Sequence, residues 1–138
     1  MTPPDPLRDA ARSAATRAYV PYSQFRVGAA VLTRSGAVIA GCNVENASYG
    51  LTVCAERNAV FQMVAAGDTA FDRVVVYTPT ATPTAPCGAC RQVLNEFKPK
   101  DRDMIVILDG ADPLTQIPLA ELLPRAFGPQ DLDDATGR

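Results

Sequence analysis

The chain contains no histidine and no tryptophan among its 138 residues. Without histidine, a general acid or base must be Glu, Asp, Cys, Tyr or Lys, and a site for a soft metal must be built largely from thiolates. The same absence excludes the Ser-His and Cys-His pairs that activate catalytic nucleophiles. Any soft-metal site in this chain therefore depends on its four cysteines.

A strong charge of either sign is also lacking. The net charge is -2 and the sequence pI is near 5.0, so the surface has no general attraction for nucleic-acid phosphates or anionic lipids. A groove for single-stranded nucleic acid needs basic residues and stacking aromatics, and an acidic chain without tryptophan offers little of either. We therefore expect neither a nucleic-acid partner nor a membrane partner.

Long hydrophobic runs are absent as well. No apolar run approaches the ~20 residues that span a bilayer, and residues 1–6 lack the basic and then apolar profile of a signal peptide. The expected location is the cytoplasm. Four cysteines in a cytoplasmic chain are more typical of metal or redox chemistry than of a disulfide framework.

With 138 residues and 47% hydrophobic content, the chain is long enough to form one core and too short to form two domains. We expect a single domain over residues 6–132. Prolines near the start favour a loose N-terminal arm over residues 1–5, and residues 133–138 are expected to form a C-terminal tail.

The order of predicted elements indicates an α/β fold. Apolar residues recur at helical spacing over residues 6–20, and two apolar runs at 25–33 and 37–42 flank a Ser35-Gly36 turn, which predicts a hairpin. The elements predicted downstream are a helix over 54–67 with Thr52 as N-cap, a strand over 73–77, an irregular loop over 78–85, a helix beginning at Cys87, a strand over 104–108, a short edge strand over 115–117 and a last short helix over 119–123. Strands that alternate with helices favour a layered domain with parallel strands after the hairpin.

Two short motifs lie where helices are predicted to begin: Cys54-Ala55-Glu56 and Pro86-Cys87-Gly88-Ala89-Cys90. They offer three thiolates and one carboxylate. Three protein ligands leave one position of a tetrahedral zinc ion free for water, and a carboxylate that is not a ligand can move the proton of that water. The motifs therefore predict a hydrolytic zinc site.

The spacing of the candidate ligands supports this site. Cys87 and Cys90 are three residues apart and share one face of a first helical turn, and helix N-termini favour a thiolate over a thiol. Glu56 lies about 200° around an ideal helix from Cys54, but residues of a first turn ring the helix axis and can reach one point beyond its end. Without the cysteines, Glu56 would be interpreted as an ordinary first-turn carboxylate.

Two arginines follow the motifs. Zn²⁺ with three thiolates sums to a charge of -1, which weakens the ion as a Lewis acid. Arg57 and Arg91 are predicted to donate to zinc-bound sulfurs and so to withdraw negative charge from them. The alternative is that both are ordinary arginines of a helix surface.

Two other interpretations of the cysteines stay open. A strand, a CxxC pair and a helix also describe a thioredoxin-type redox dithiol. A fourth thiolate from Cys42 would close the zinc shell and make the site a non-catalytic structural zinc module. Because Cys42 ends a predicted strand, it is interpreted instead as a small buried hydrophobe.

Zinc deaminases carry a ligand-x-Glu motif followed by Pro-Cys-x-x-Cys, and this chain has both, with Cys in place of the common His ligand. It resembles the small homotetrameric cytidine deaminases that act on free nucleosides, over about residues 21–132. The segments that carry the resemblance, besides the two motifs, are Pro21-Tyr22-Ser23-Gln24-Phe25, Val27-Gly28-Ala29-Ala30, Gly41-Cys42-Asn43-Val44-Glu45-Asn46-Ala47, Leu122-Leu123-Pro124 and Phe127-Gly128-Pro129.

The resemblance implies a three-layer α/β/α fold around a five-stranded mixed sheet and one zinc ion per subunit, held by Cys54, Cys87 and Cys90. The resemblance also implies four kinds of substrate contact. Phe25 packs beside the nucleoside, Asn43 and Glu45 bind the ribose hydroxyls, and the backbone of Ala55 contacts the pyrimidine. Phe127 reaches the base from a neighbouring subunit of a homotetramer. For either Phe, simple core packing is the alternative.

The predicted function is hydrolysis of free cytidine and 2'-deoxycytidine to uridine and 2'-deoxyuridine with release of ammonia, in pyrimidine salvage. Glu56 is predicted to pass a proton from zinc-bound water to N3 of cytosine and then to carry one to the exocyclic amine. The alternatives are a blasticidin-S-type deaminase, which shares the zinc framework, and a structural zinc module. Asn43 and Glu45 favour an ordinary nucleoside over blasticidin S.

Overall fold

The computed structural model describes residues 5–110 and 114–137. Its helices and strands, in chain order, are α1 (Pro6–Ala15), β1 (Gly28–Thr33), β2 (Val38–Cys42), α2 (Ala55–Ala65), β3 (Phe71–Tyr77), α3 (Gly88–Glu96), β4 (Ile105–Asp109), β5 (Thr115–Pro118), α4 (Leu119–Leu122) and α5 (Pro129–Thr136). A 3₁₀ turn, Tyr49–Leu51, precedes α2. Within these ranges, no helix combines the length and the apolar character that a bilayer span requires.

The five strands form one mixed sheet in the order β2-β1-β3-β4-β5. β1 pairs with β2 and with β3 in antiparallel register, β3 and β4 are parallel, and β4 and β5 are antiparallel. The mixed sheet is as predicted, but the expectation of parallel strands after the hairpin is wrong for β5. Only residues 110–114 connect β4 to β5, whereas a parallel pair needs a crossover of about a dozen residues or more.

Alternating residues of the central strands build a core on each face of the sheet. Ala29, Val31 and Val74 belong to the cluster that includes Ala59 and Met63 of α2. On the opposite face, Leu7 and Ala11 of α1 pack against the strand residues Ala30, Val75 and Ile107. Because successive side chains of a strand point to opposite faces, α1 covers one face and α2 and α3 cover the other. This arrangement confirms the α/β class.

Helix α1 is shorter than predicted. It begins after Asp5, whose carboxylate accepts hydrogen bonds from two backbone N–H groups of the first turn, and it ends at Ala15 rather than at residue 20. The reason is a competing backbone pairing. The N–H of Tyr19 donates to the carbonyl of Asn43 at 3.0 Å, and the carbonyl of Tyr19 accepts from Glu45 at 2.9 Å. The chain therefore leaves the α-helix after Ala15, and Tyr19 pairs with the segment that follows β2.

The two ends of the chain also differ from expectation. Asp5 belongs to the cap of α1 rather than to a loose arm, and the rest of the predicted arm lies outside the described residues. At the other end, α5 runs through most of the predicted tail and begins at Pro129, with the N–H of Gly128 donating to the Asp131 carboxylate at 2.8 Å. Leu132 is the only large apolar residue of this helix, so hydrophobic periodicity could not indicate it.

Close packing fixes the start of α2 against the end of β2. A Cβ atom added to Gly41 would lie 2.5 Å from the backbone nitrogen of Ala59, so only glycine allows this approach. Side-chain amides hold the same contact, since Asn58 donates to the carbonyl of Cys42 and Gln62 to that of Ala40, both at 2.8 Å. The segment after β2 and the N-terminus of α2 are thereby brought side by side.

Candidate active site

Two helix starts supply the three sulfurs. Cys54 is the N-cap of α2 and Cys87 is the N-cap of α3, while Cys90 lies in the first turn of α3. Thr52, which the sequence predicted as the cap of α2, stands two residues too early. Its hydroxyl accepts instead from the N–H of Asn46 at 3.2 Å, which ties the preceding turn to the start of the helix.

The sulfur atoms of Cys54, Cys87 and Cys90 lie within 4.8 Å of one another, and those of Cys54 and Cys87 are 3.8 Å apart. A tetrahedral zinc ion with Zn–S bonds of about 2.3 Å separates its sulfurs by about 3.8 Å, so the residues fit zinc. Cys42 is not part of this group. Among the described residues, the cysteines therefore do not form the closed four-sulfur shell of a structural zinc module.

Hydrogen bonds favour the thiolate form of one of these sulfurs, that of Cys54. A hydrogen bond from the Cys90 thiol lowers the pKa of Cys54 to about 5, against the effect of burial, and a hydrogen bond from Arg57 contributes further. The same bond with Cys54, together with burial, raises the pKa of Cys90. The bond between the two sulfurs therefore favours the thiolate form of Cys54 over that of Cys90. A thiolate is the form that binds zinc.

Glu56 is buried beside these sulfurs, with 4% of its surface exposed. Burial raises the pKa of Glu56, and the negative charge of Cys54 raises it further. Hydrogen bonds from its own backbone N–H and from the Cys90 thiol oppose the rise. A raised pKa makes the carboxylate a stronger base, which suits a group that accepts and returns a proton in general acid-base catalysis.

The two arginines make different contacts. Nη2 of Arg57 lies 3.5 Å from Sγ of Cys54 and 3.4 Å from the carbonyl of Thr52. Arg91 instead donates to the carbonyls of Pro86 and Leu122, both at 2.8 Å. It follows Cys90 directly, so its side chain leaves the helix about 100° away from that cysteine. In this structure Arg91 therefore supports the loop before Cys87, and its predicted contact with a sulfur is corrected.

Asn43 and Glu45, predicted to bind ribose, hold the loop that precedes β1. The side-chain oxygen of Asn43, a buried residue, accepts from the N–H of Val27 at 2.9 Å, and its amide nitrogen donates to the carbonyl of Phe25 at 2.8 Å. Glu45 accepts hydrogen bonds from the N–H groups of Tyr22 and Ser23 and from the Ser23 hydroxyl. Both polar side chains thus contact the stretch that contains Phe25.

A cavity of about 410 Å³ borders this loop and is lined by Tyr22, Ser23, Glu45, Tyr49 and Thr52. The rings of Tyr22 and Tyr49 meet edge to face, with centroids 6.0 Å apart. Thr52 is two residues before Cys54, so the cavity adjoins the segment that leads to the sulfur cluster. Of its lining, only Glu45 was predicted from the sequence to bind the substrate. The signal for Ser23 was its position two residues before Phe25, a spacing at which a serine hydroxyl can bond the backbone.

The remaining predicted residues are Ala55 and Phe127. Ala55 is fully buried as the first residue of α2, between Cys54 and Glu56. Phe127 lies outside both groups of site residues described above, which are the three clustered cysteines and the loop held by Asn43 and Glu45. Of its surface, 59% is exposed. Its carbonyl accepts from the side chains of Gln92 and Asn95, at 2.8 and 3.2 Å, so its position is fixed relative to α3.

Comparison with known proteins agrees with this geometry. A family model described as "Cytidine and deoxycytidylate deaminase zinc-binding region" matches residues 4–107. The chain belongs to this family. The zinc-binding region named in that description includes all three residues of the sulfur cluster and Glu56.

Individual relatives cover nearly the whole chain. A cytidine deaminase of Halalkalibacterium halodurans is 48% identical over 117 residues, which are 85% of this chain and 88% of that protein. One of Mycobacterium tuberculosis is 44% identical over 126 residues, 91% of this chain and 90% of that protein. The crystal structure of the cytidine deaminase from Burkholderia pseudomallei superimposes with a TM-score of 0.82 at 47% identity, covering 88% of this chain and 96% of that one.

Proposed function

We propose that this protein is a cytidine deaminase, a hydrolase that acts on the C–N bond of a cyclic amidine. It converts cytidine and 2'-deoxycytidine to uridine and 2'-deoxyuridine and releases ammonia. The observation that carries the proposal is the burial of Glu56 beside three sulfurs that converge from two helix starts. The relatives that cover most of the chain are named cytidine deaminases, which supports the choice of substrate.

Cys54, Cys87 and Cys90 would hold one zinc ion per subunit, and the spacing of their sulfurs supports this role. When bound, zinc supplies a Lewis acid that makes water a nucleophile at neutral pH. The chain contributes the negative charge of the thiolates, and Arg57 donates to Cys54 and withdraws part of that charge.

Glu56 carries the protons in this proposal. Its carboxylate takes a proton from the water that attacks C4 of cytosine and delivers this proton to N3. It then moves the second proton of the same water to the exocyclic amine. The C4–N bond breaks, ammonia leaves, and the proton on N3 remains in the uridine product. The raised pKa of Glu56 suits a group that must both accept and donate.

The substrate would be held by Phe25, Asn43, Glu45 and the backbone of Ala55, with Phe127 supplied by a neighbouring subunit of a homotetramer. The outward position of Phe127, fixed by Gln92 and Asn95, supports a contact with another copy of the chain. Asn43 keeps one amide hydrogen and one lone pair free beyond its bonds to the loop, so it can still contact a ligand. We place the enzyme in the cytoplasm, in pyrimidine salvage.

The direct test is turnover by the purified, zinc-loaded protein. Cytidine and 2'-deoxycytidine should both be converted, with one ammonia released per uridine or deoxyuridine formed, and blasticidin S should be a poor substrate by comparison. Conversion of blasticidin S alone would contradict the proposed substrate. Bound zinc without any deamination would contradict the proposed reaction.

A further inference from the structure

The hydroxyl of Ser23 links two residues of the proposed nucleoside site. Oγ of Ser23 accepts a hydrogen bond from the backbone N–H of Phe25 at 3.0 Å and donates to Oε2 of Glu45. The direction of both bonds follows from their chemistry, because an N–H group only donates and an ionised carboxylate only accepts. The single proton of Ser23 is therefore committed to Glu45.

The same network accounts for most of the accepting capacity of Glu45. Oε1 accepts from the N–H groups of Tyr22 and Ser23, at 3.0 and 3.1 Å, which occupies both of its lone pairs. Oε2 accepts from Ser23 and keeps one lone pair. Hydrogen bonding to Ser23 lowers the pKa of Glu45, against the effect of burial, so the group is an ionised acceptor at neutral pH.

The backbone between Ser23 and Phe25 depends on these bonds. Gln24 has φ of 57°, in the left-handed region that residues other than glycine rarely adopt. Such a conformation persists where surrounding contacts determine it. Here those contacts are the bond from the N–H of Gln24 to the carbonyl of Val20 at 3.0 Å, the bonds of Ser23 to Phe25 and Glu45, and the bond from Asn43 to the carbonyl of Phe25 at 2.8 Å.

We propose that Ser23 is a positioning residue for the nucleoside, which holds Glu45 and Phe25 together so that Glu45 presents one free acceptor to a sugar hydroxyl. This inference rests on the proposed function. Ser23 and Glu45 both line the cavity that adjoins the segment before Cys54. Because Ser23 touches no reacting atom, it acts on substrate binding and leaves the proton transfers of Glu56 unchanged.

The test compares Ser23→Ala, which removes the hydroxyl, with Ser23→Thr, which keeps it. A hydrogen bond to a charged group is worth about tenfold or more in binding, so Ser23→Ala should raise the KM for cytidine by about that factor, with kcat within about twofold of wild type. Ser23→Thr should restore the KM. Ser13→Ala, at an exposed serine of α1 on no part of the site, is the matched control.

A second substrate separates positioning from simple support of the fold. 2',3'-Dideoxycytidine lacks both ring hydroxyls and cannot use the acceptor of Glu45, so its KM should rise much less in Ser23→Ala than the KM for cytidine. An equal rise for both substrates, an unchanged KM for cytidine, or a loss of kcat alone would overturn the role of Ser23 while leaving the deaminase assignment intact. A zinc-loaded wild type that deaminates no nucleoside would overturn the proposed function and this inference with it.

Discussion

Cys54 and Glu56 can serve one site because they differ in backbone conformation. Cys54 is an N-cap with φ -71° and ψ 157°, so it is extended and stands just outside α2. Glu56 is the second residue inside the helix. The separation of about 200° that an ideal helix imposes on residues two apart therefore does not apply to this pair. A ligand and a proton carrier can lie next to each other without both belonging to one helical face.

Arg57 provides a prediction at the residue scale. Its guanidinium lies 3.5 Å from Sγ of Cys54, and partners of metal ligands typically contribute ~10- to 100-fold to metal affinity or activity. Arg57→Gln should therefore lose zinc at a lower chelator concentration, or turn over more slowly, by a factor in that range. Arg17→Gln, at an exposed arginine of the stretch after α1, is the control. Unchanged zinc retention together with an unchanged rate in Arg57→Gln would remove this role.

At the scale of elements, local signals located most of the fold. Apolar β-branched runs indicated β3 and β4, and the Cys54 and Cys87 motifs indicated where α2 and α3 begin. The elements that were missed or misplaced depend on information outside their own residues. Helix α1 ends early because Tyr19 pairs with a segment more than twenty residues away, and the direction of β5 follows from the shortness of its connection.

The site divides in the same way. The three zinc ligands and Glu56 could be located from motif spacing, because the chemistry itself requires that spacing. The bonds of Arg91 to Pro86 and Leu122 could not, because they depend on how the segment after β5 returns to α3. The role of Ser23 could not be predicted from the sequence for a similar reason, since its partner Glu45 is 22 residues away in the chain.

Helix α1 is joined to the sheet by a buried carboxylate, which gives a pH-dependent prediction. Asp109, at the end of β4, has 1% of its side chain exposed and pairs with Arg12 at 2.7 Å and Arg8 at 3.1 Å. Burial alone would raise the pKa of Asp109, but the hydrogen bonds from Arg12 and Arg8 outweigh it and lower the pKa. The pairs therefore contribute their full stability above the ordinary carboxyl pKa of about 3.9, and lose it as the pH falls through the lowered value.

Asp109→Asn should consequently reduce the free energy of unfolding at pH 7 by about 2 kcal/mol, the worth of hydrogen bonds to a charged group. The deficit relative to wild type should shrink as the pH is lowered below about 4, as measured by urea unfolding. Asp101→Asn removes an exposed partner of Arg34 and should cost less than about 1 kcal/mol. A deficit for Asp109→Asn that stays constant from pH 7 to pH 3 would contradict the ionic origin of the effect.

At the scale of the whole molecule, the single chain leaves several large apolar side chains exposed. They include Tyr19, Val44, Tyr49, Leu51, Phe61 and Phe127. Val44 and Phe61 line one cavity beside α2, so part of this surface is continuous. From one sequence, apolar residues at an interface cannot be distinguished from core residues, because both follow the same periodicity. In the proposed homotetramer, a second copy of the chain would pack against this surface.

If Phe127 completes the site of a neighbouring subunit, two impaired variants should rescue each other. Phe127→Ala leaves Glu56 in place, and Glu56→Gln leaves Phe127 in place. Tetramers refolded from an equal mixture should contain some sites with both intact residues, so the mixture should turn over faster than the mean of the two variants measured separately. Activity of the mixture equal to the mean of the two variants would contradict a contribution of Phe127 between subunits.

The most direct test of the whole account is the conversion of cytidine to uridine by wild type and by Glu56→Gln, each zinc-loaded and folded. Since one carboxylate is proposed to move every proton, the variant should lose at least the ~10²- to 10⁴-fold typical of general acid-base catalysis and should keep its zinc on the three cysteines. Near-normal turnover by Glu56→Gln would contradict the central claim that Glu56 carries the protons.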